Sequence, residues 1–203
     1  MIDATRSGDS WPSFEGAERI GRAHGESPGV PLRAAALAVW VVLVVACVAT
    51  FGASVEALVH ALGLAVVVAV TVTDLERRIV PNRIIVPALA VALVVQTVRE
   101  PSLEWVVASF GAGGIFLVLA LAYPAGLGMG DVKLAAFLGA WLGWDVVVAL
   151  FIGSILGAVP ALVLLVRGGA SARKATLPYV PALAVGAVVG LFFGDALLDA
   201  WLG

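Results

Sequence analysis

Two aspartates stand at the ends of apolar stretches, where ionisable side chains are rare. Asp74 follows the apolar stretch 55–73, and Asp131 follows the glycine-rich stretch 126–130 and opens the apolar stretch 131–142. Ionisable groups at membrane depth are energetically costly and usually mark a function. If the fold brings these two carboxylates together, they cannot both ionise cheaply, so the pair can share one proton near neutral pH.

A pair of carboxylates that shares a proton can hydrolyse a peptide bond. One carboxylate takes a proton from a water molecule as the water attacks the peptide carbonyl, and the other donates a proton to the carbonyl oxygen. Such a pair titrates as a unit. Gly128 and Gly130, which precede Asp131, can adopt backbone conformations closed to other residues and allow close approach of a substrate chain. These residues therefore favour an aspartyl protease that uses no metal and no other cofactor.

Each aspartate also has a purely structural interpretation. Asp131 could be the N-cap of a membrane helix, and Asp74 could be an interfacial acid paired with Arg77 or Arg78. An alternative from a different functional class is a small proton- or ion-coupled transporter that uses the two aspartates as a relay. No inverted repeat is evident in the sequence to support transport.

Other residue types that often carry chemistry offer little here. Cys47 is the only cysteine, which excludes an intrachain disulfide and a cysteine-rich zinc site. His24 and His60 lie far apart in the sequence and form no HExxH pair. Ser154 is the nearest candidate for a serine nucleophile, but His60 has no placed partner, so a serine intramembrane protease is disfavoured.

The composition indicates which elements must position the aspartates. Of the 203 residues, 62% are hydrophobic and 13% are charged, against about 25% charged residues in a typical soluble domain. One small water-soluble core cannot bury this apolar excess, so the sequence predicts an all-α integral membrane protein, a bundle of about six to seven transmembrane helices. The predicted segments are 34–51, 55–73, 84–98, 104–123, 131–142, 146–166 and 178–202.

One predicted segment is short. Residues 131–142 would form a helix about 18 Å long, against an apolar bilayer core about 30 Å thick. We interpret it as a short crossing, which bilayer thinning or helix tilt accommodates and which could extend past Gly143 and Trp144.

The positions of Lys and Arg predict the orientation in the membrane. With a cytoplasmic N-terminus and seven crossings, every Lys and Arg except Arg99 falls on the cytoplasmic side, as the positive-inside rule requires. Asp74 and Asp131 then lie together at the cytoplasmic face.

Residues 1–33, rich in Gly, Ser, Pro and mixed charges, are predicted to be a flexible cytoplasmic tail, and residues 34–203 the transmembrane domain. The net charge of −2 predicts no nucleic-acid partner.

Two segments resemble the signatures of a known family. Residues 73–82, Thr-Asp-Leu-Glu-Arg-Arg-Ile-Val-Pro-Asn, are similar to the first signature of the prepilin peptidases: an Asp and a basic stretch, then an aliphatic residue and Pro-Asn. Residues 128–134, Gly-Met-Gly-Asp-Val-Lys-Leu, resemble their second signature, the GxGD motif followed by x-Lys-Leu. A weaker match is the segment 177–184, which is similar to the proline-containing entry into the family's last helix.

The resemblance implies an intramembrane aspartyl endopeptidase of the cell membrane. Such enzymes remove the leader peptide from type IV prepilin-like or preflagellin-like precursors at the cytoplasmic membrane face. The partner is then a pilin-like precursor with a basic leader and an apolar helix, together with the lipid bilayer. By the same resemblance, Asp74 and Asp131 would be the catalytic pair, and Gly128 and Gly130 would shape the site.

Three further residues match motif positions, and the resemblance implies only that they support the site locally: Pro81, Asn82 and Lys133. For Lys133, contact with lipid headgroups is an equally good interpretation.

The sequence departs from the larger bifunctional members of this family. Those members carry a cytoplasmic insertion with paired cysteines and also methylate the new N-terminus. Neither the insertion nor the paired cysteines are present here, so we expect a peptidase only. Presenilin-like proteases also contain GxGD, and residues 181–183 match their Pro-Ala-Leu motif. The Pro-Asn after the first aspartate and the Lys-Leu after the second favour the prepilin branch.

Overall fold

The computed structural model describes residues 29–122, 127–172 and 179–202, and every regular element in these ranges is helical. The predicted all-α fold is therefore confirmed. In order, the helices of these ranges are α1 (Gly29–Phe51), α2 (Val55–Arg77), α3 (Asn82–Arg99), α4 (Glu104–Ala122), α5 (Met129–Leu142), α6 (Val146–Ala172) and α7 (Val180–Leu202), with a 3₁₀ turn at Gly143–Asp145 between α5 and α6.

The helices coincide with the predicted apolar segments, but several begin or end elsewhere. α1 begins at Gly29, inside the stretch predicted to be tail, because a proline in the first turn, here Pro31, is compatible with a helix start. The rest of the predicted tail, residues 1–28, lies outside the described residues. α2 continues to Arg77, so Asp74 lies inside its last turn rather than after it. α5 begins before Asp131, which is its third residue.

Much of the outer surface of the bundle is apolar. Within the described ranges, six segments are long and apolar enough to cross a bilayer, and one of them, Met129–Val159, joins α5, the 3₁₀ turn and the first part of α6. Large apolar side chains such as Val42, Val98 and Phe110 are more than half exposed. A surface of this kind fits lipid rather than water. The chain is a multi-pass membrane protein.

α5 lies in the interior of the bundle and packs mainly against α4 and α3. Most of its 14 residues are buried. Small residues let α4 and α5 approach closely, since a Cβ on Gly139 would overlap the Ala108 carbonyl. Ser109 adds a hydrogen bond from its hydroxyl to the Ala136 carbonyl, at 2.9 Å. The helix that carries Asp131 is therefore held on several sides by other helices.

Contacts at its two ends show that α5 runs through the whole bundle. At its start, Gly130 touches Val80, which follows the end of α2. Near its end, the Trp141 carbonyl accepts a hydrogen bond of 2.8 Å from Gln96 Nε2, near the end of α3. Its 14 residues span only about 21 Å, so α5 is the short helix that the sequence predicts.

α6 returns in the opposite direction and pairs with α7. Asp145, just before α6, lies beside Gly194, and Gly157 lies beside Tyr179, which precedes α7. The bundle therefore has two ends. We call the end that contains Asp74 the aspartate end, and the opposite one, with Asp145, the far end.

α1 lies at the periphery of the bundle. Trp40 Nε1 donates a hydrogen bond of 3.1 Å to the Ala61 carbonyl of α2, and Arg33 forms a two-pronged ion pair with Glu76 at 2.9 and 3.0 Å. Between α1 and α7, above α2, an apolar groove remains open, and we call it the α1–α7 groove. Its lining includes Leu32, Val39, Val67, Leu75, Pro181 and Ala184.

Candidate active site

Asp74 lies in the last turn of α2, which ends three residues later, at Arg77. The N–H of Arg78, a residue with a left-handed φ of 54°, donates to the Asp74 carbonyl at 2.7 Å. Asp74 is only 7% exposed, and its Oδ2 has no hydrogen-bond partner among the described residues. A buried carboxylate oxygen without a partner is costly, so this atom is available to a water molecule or a substrate.

Asp131 lies in the first turn of α5 and is nearly as buried, at 9% exposure. The backbone N–H of Gly128 donates to Asp131 Oδ2 at 3.0 Å, which holds the carboxylate against the start of the helix. The N-cap of α5 is Gly128. Asp131 is therefore not the N-cap itself, because the helix begins earlier than the apolar stretch does; as the third residue of α5 it caps the helix start by accepting from the Gly128 N–H.

The fold brings the two aspartates together. Their carboxylates, from α2 and α5, lie close enough to interact electrostatically. In the described part of the chain, Asp74 forms no ion pair with Arg77 or Arg78, although the charge of Arg78 lies nearby. Two buried carboxylates on neighbouring helix ends are the arrangement that proton sharing requires.

The start of α7 borders the site on a further side. The backbone N–H of Val180 lies close to the Asp74 carboxylate, and Tyr179 lies near Asp131. The Tyr179 hydroxyl donates to Ser154 Oγ at 3.0 Å. Sequence reasoning indicated this region only through the weak match at 177–184, whose first two residues lie outside the described ranges.

The loop from α2 to α3 passes over the start of α5. Val80 occupies the space beside Gly130, where an added Cβ would lie 2.8 Å from the Val80 Cβ. Two residues further on, Asn82 Oδ1 accepts a hydrogen bond of 2.7 Å from Lys133 Nζ. Lys133, for which the sequence left lipid headgroups as an alternative, thus has a protein partner.

Pro81 ends the same loop, and its backbone carbonyl caps the start of α3. It is the N-cap of α3, and its carbonyl accepts hydrogen bonds from the N–H groups of Ile84 and Ile85 at 3.0 and 3.1 Å. Its ring fixes φ near the observed −71°. Pro81 therefore sets where α3 begins, one residue before Asn82.

Gly128 and Gly130 have backbone conformations that other residues can adopt. The sequence instead predicted conformations that only glycine allows. Gly128 has a φ of −87°, and positive φ occurs in the described ranges only at Gly52, Arg78 and Gly143. The requirement at Gly130 is steric, because Val80 fills the space of a Cβ.

The far end also gathers acidic side chains. Glu104 Oε1 accepts a hydrogen bond of 3.1 Å from the Trp144 N–H. Asp145 Oδ1 is buried, with no hydrogen-bond partner in the part of the chain that the structure describes. Asp145 ends the 3₁₀ turn between α5 and α6, where Gly143 has a φ of 60°. Glu104, the first residue of α4, contacts this turn. Across the described ranges, no group of three His, Cys, Asp or Glu residues could hold a metal ion.

Similarity to known proteins covers most of the chain. The model of the type IV leader peptidase family matches residues 61–162. The prepilin leader peptidase/N-methyltransferase of Bacillus subtilis (strain 168) is 31% identical over 163 residues, which cover 75% of this chain and 62% of the relative. That of Legionella pneumophila is 28% identical over 162 residues, covering 75% and 56%. That of Burkholderia pseudomallei (strain 1026b) is 35% identical over 161 residues, covering 75% and 52%.

The matched region therefore spans between 52% and 62% of the length of these three relatives. No solved structure matches the chain.

Proposed function

Because the chain belongs to the type IV leader peptidase family, we propose that it is an intramembrane aspartyl endopeptidase. Its substrates are type IV prepilin-like or preflagellin-like precursors, from which it removes the leader peptide. The observation that carries this proposal is the pair of buried carboxylates, Asp74 and Asp131, which two helices distant in sequence bring to one end of the bundle.

The two carboxylates divide the work of peptide hydrolysis. Asp74 Oδ2, which has no partner among the described residues, holds the water molecule and accepts its proton. Asp131, held by the Gly128 N–H through one oxygen, donates a proton to the carbonyl oxygen of the bond to be cut. The same pair then returns a proton to the leaving amine. Burial supports this chemistry, because excluding bulk water strengthens each electrostatic interaction in the site.

The aspartate end faces the cytoplasm in our proposal, with the N-terminus on the same side and the plasma membrane as the location. Basic side chains support this orientation. Arg77, Arg78, Arg83 and Lys133 all lie near the aspartate end, and Arg99 ends α3 at the other. Positively charged residues flank transmembrane segments mainly on the cytoplasmic side.

The α1–α7 groove is the surface that we assign to the apolar helix of the precursor. Its lining is almost entirely aliphatic, which suits an apolar helix in a bilayer. Two of the groove's lining residues, Leu75 and Pro181, directly follow Asp74 and Val180 in the chain, so one end of the groove lies beside the candidate active site. A helix lying in this groove would bring the chain that precedes it to the two carboxylates.

The relatives are named as N-methyltransferases as well as peptidases. That the chain acts as a peptidase only remains a prediction. The transporter alternative has no support from the family membership.

The test is co-expression with an epitope-tagged pilin-like precursor, with leader removal followed as a mobility shift on a gel. We expect the wild type to shorten the precursor and Asp74→Asn and Asp131→Asn to leave it intact while inserting in the membrane normally. Asp199→Asn, at an exposed acid near the end of α7, is the matched control and should process normally. Processing by either active-site variant at the wild-type rate would refute the paired-carboxylate mechanism.

A further inference from the structure

The catalytic geometry proposed above depends on how two separate helices are held relative to each other. Asp74 is at the end of α2 and Asp131 at the start of α5, and α2 contacts α5 less extensively than α3 and α4 do. Hydrolysis by two carboxylates requires a defined separation, and a displacement of about 1 Å can cost on the order of 100-fold in rate. A contact that fixes α5 against the end of α2 would therefore control the reaction.

The loop after α2 supplies the first part of such a contact. The helix ends three residues after Asp74, because Arg78 adopts a left-handed conformation; its N–H makes the last helical bond, to the Asp74 carbonyl at 2.7 Å. The loop therefore leaves from a defined point beside the carboxylate. Val80 then packs directly on Gly130, the residue before Asp131, at a distance that leaves no room for a side chain.

The second part is polar. Lys133 Nζ donates to Asn82 Oδ1 at 2.7 Å, across 51 positions of sequence. Asn82 is the first residue of α3, and Lys133 is two residues beyond Asp131. A hydrogen bond with a charged donor is stronger than one between neutral groups. The two contacts, Val80 with Gly130 and Asn82 with Lys133, are called the clasp below.

We infer that Lys133 is a positioning residue, and that its bond to Asn82 sets the separation of the Asp74 and Asp131 carboxylates. The inference rests on the proposed function. The clasp joins the segment that follows Asp74 to residues on both sides of Asp131, so opening it lets α5 move relative to the end of α2. The bond also gives a reason for an amide at position 82 and an ammonium at position 133, since one accepts and the other donates. Neither group has to touch the substrate for this role.

The experiment measures initial rates of leader release by purified enzyme in liposomes, as a function of precursor concentration. Lys133→Met and Asn82→Leu remove the hydrogen bond with side chains of similar size. We expect each to lower kcat about 10- to 100-fold with KM changed less than about twofold. The double variant should be no slower than the slower single variant, because both changes remove one bond. Lys133→Arg and Asn82→Asp keep a donor and an acceptor and should recover most of the rate.

Arg83→Met is the matched control, because this exposed cation lies one residue beyond Asn82 on α3. It should retain wild-type kcat. The thermal midpoint of each variant in detergent is measured alongside, and a positioning role predicts midpoints close to that of the wild type.

Several results would overturn the inference. Wild-type kcat in Lys133→Met would show that the bond does not position the carboxylates. Losses that multiply in the double variant would show independent roles, and a raised KM at unchanged kcat would assign Lys133 to substrate or lipid binding. A kcat loss that follows the fall in thermal midpoint, without recovery in Lys133→Arg, would make the bond structural only. Failure of the proposed function is distinct, because the wild type would then release no leader, or Asp74→Asn and Asp131→Asn would release it at the wild-type rate.

Discussion

The two ends of the bundle both carry acidic side chains but hold them differently. At the aspartate end, Asp74 and Asp131 are each less than a tenth exposed and come from different helices. At the far end, the Glu104 carboxylate is bonded to the Trp144 N–H, and Asp195 is exposed. Glu104 stabilises a turn and Asp195 faces the surroundings, whereas the two acids at the aspartate end are both buried and lie within electrostatic range of each other.

Asp145, at the far end, resembles Asp74 in one respect and differs from it in another. Like Asp74, it has a buried oxygen without a partner in the described part of the chain, and acidic neighbours lie close to it. It differs in its place, since it belongs to the turn between α5 and α6. One buried acid is therefore not enough to form a catalytic pair. The aspartate end differs in having two buried acids, each held on a helix of its own.

The largest effect is expected from neutralising acids at each end in turn. Asp74→Asn and Asp131→Asn should lower kcat/KM of leader release by at least about 10³-fold, since each removes a proton-transfer group. Asp145→Asn and Asp195→Asn should change it less than about twofold. Initial rates with purified enzyme in lipid measure both. A loss in Asp145→Asn as large as that in Asp74→Asn would erase the distinction between the two ends.

A smaller effect is expected from crowding the aspartate end. Gly130→Ala places a Cβ 2.8 Å from the Val80 side chain and should displace the start of α5, lowering kcat on the order of 100-fold. Val80→Gly in the same chain removes the obstructing atoms and should restore part of the rate. Gly114→Ala, where a Cβ meets nothing within 4 Å, is the control. If the double variant is no faster than Gly130→Ala, steric displacement is not the cause.

At the far end, the corresponding glycine should affect stability rather than rate. Gly143 has a φ of 60° and a ψ of −133°, a conformation that costs other residues about 1–3 kcal/mol. Gly143→Ala should therefore lower the thermal midpoint in detergent, while the folded fraction keeps its kcat. A variant with an unchanged midpoint but a lost rate would mean that the far end participates in catalysis.

The smallest effect concerns the groove that opens at the aspartate end. Ala184→Phe fills part of the α1–α7 groove and should raise KM about three- to tenfold, equivalent to about 1 kcal/mol of docking free energy. Ala90→Phe, at an exposed position of α3 outside the groove, should leave KM unchanged. Equal KM values for both variants would remove the groove from the docking path.

Several features of the fold were predictable because they depend on local composition. Each apolar segment predicted from the sequence coincides with a helix, since a chain in lipid must satisfy its backbone within the helix itself. The errors lie at the boundaries. α1 begins inside the predicted tail, at Gly29, and α2 carries Asp74 within its last turn. Hydropathy marks where the bilayer begins, whereas caps such as Arg78 determine where a helix ends.

The site was predictable in its acids but not in what surrounds them. Asp74 and Asp131 stand out because carboxylates are rare in apolar sequence. Lys133 matched a motif position, yet lipid and protein partners were equally compatible with its sequence context. The glycine at 130 was expected to serve conformation, and the structure gives it a steric role against Val80.

By itself, the sequence determined that this protein is a bundle of membrane helices with two acids at helix ends, because hydropathy and residue type act over a few neighbouring positions. Only the tertiary structure decided that the two acids lie near each other, that Asp74 Oδ2 has no hydrogen-bond partner among the described residues, and that Val180 borders this aspartate. It also decided that Lys133 bonds to Asn82. These features join helices far apart in the chain, and they depend on how closely small residues such as Gly130 and Gly139 let those helices pack.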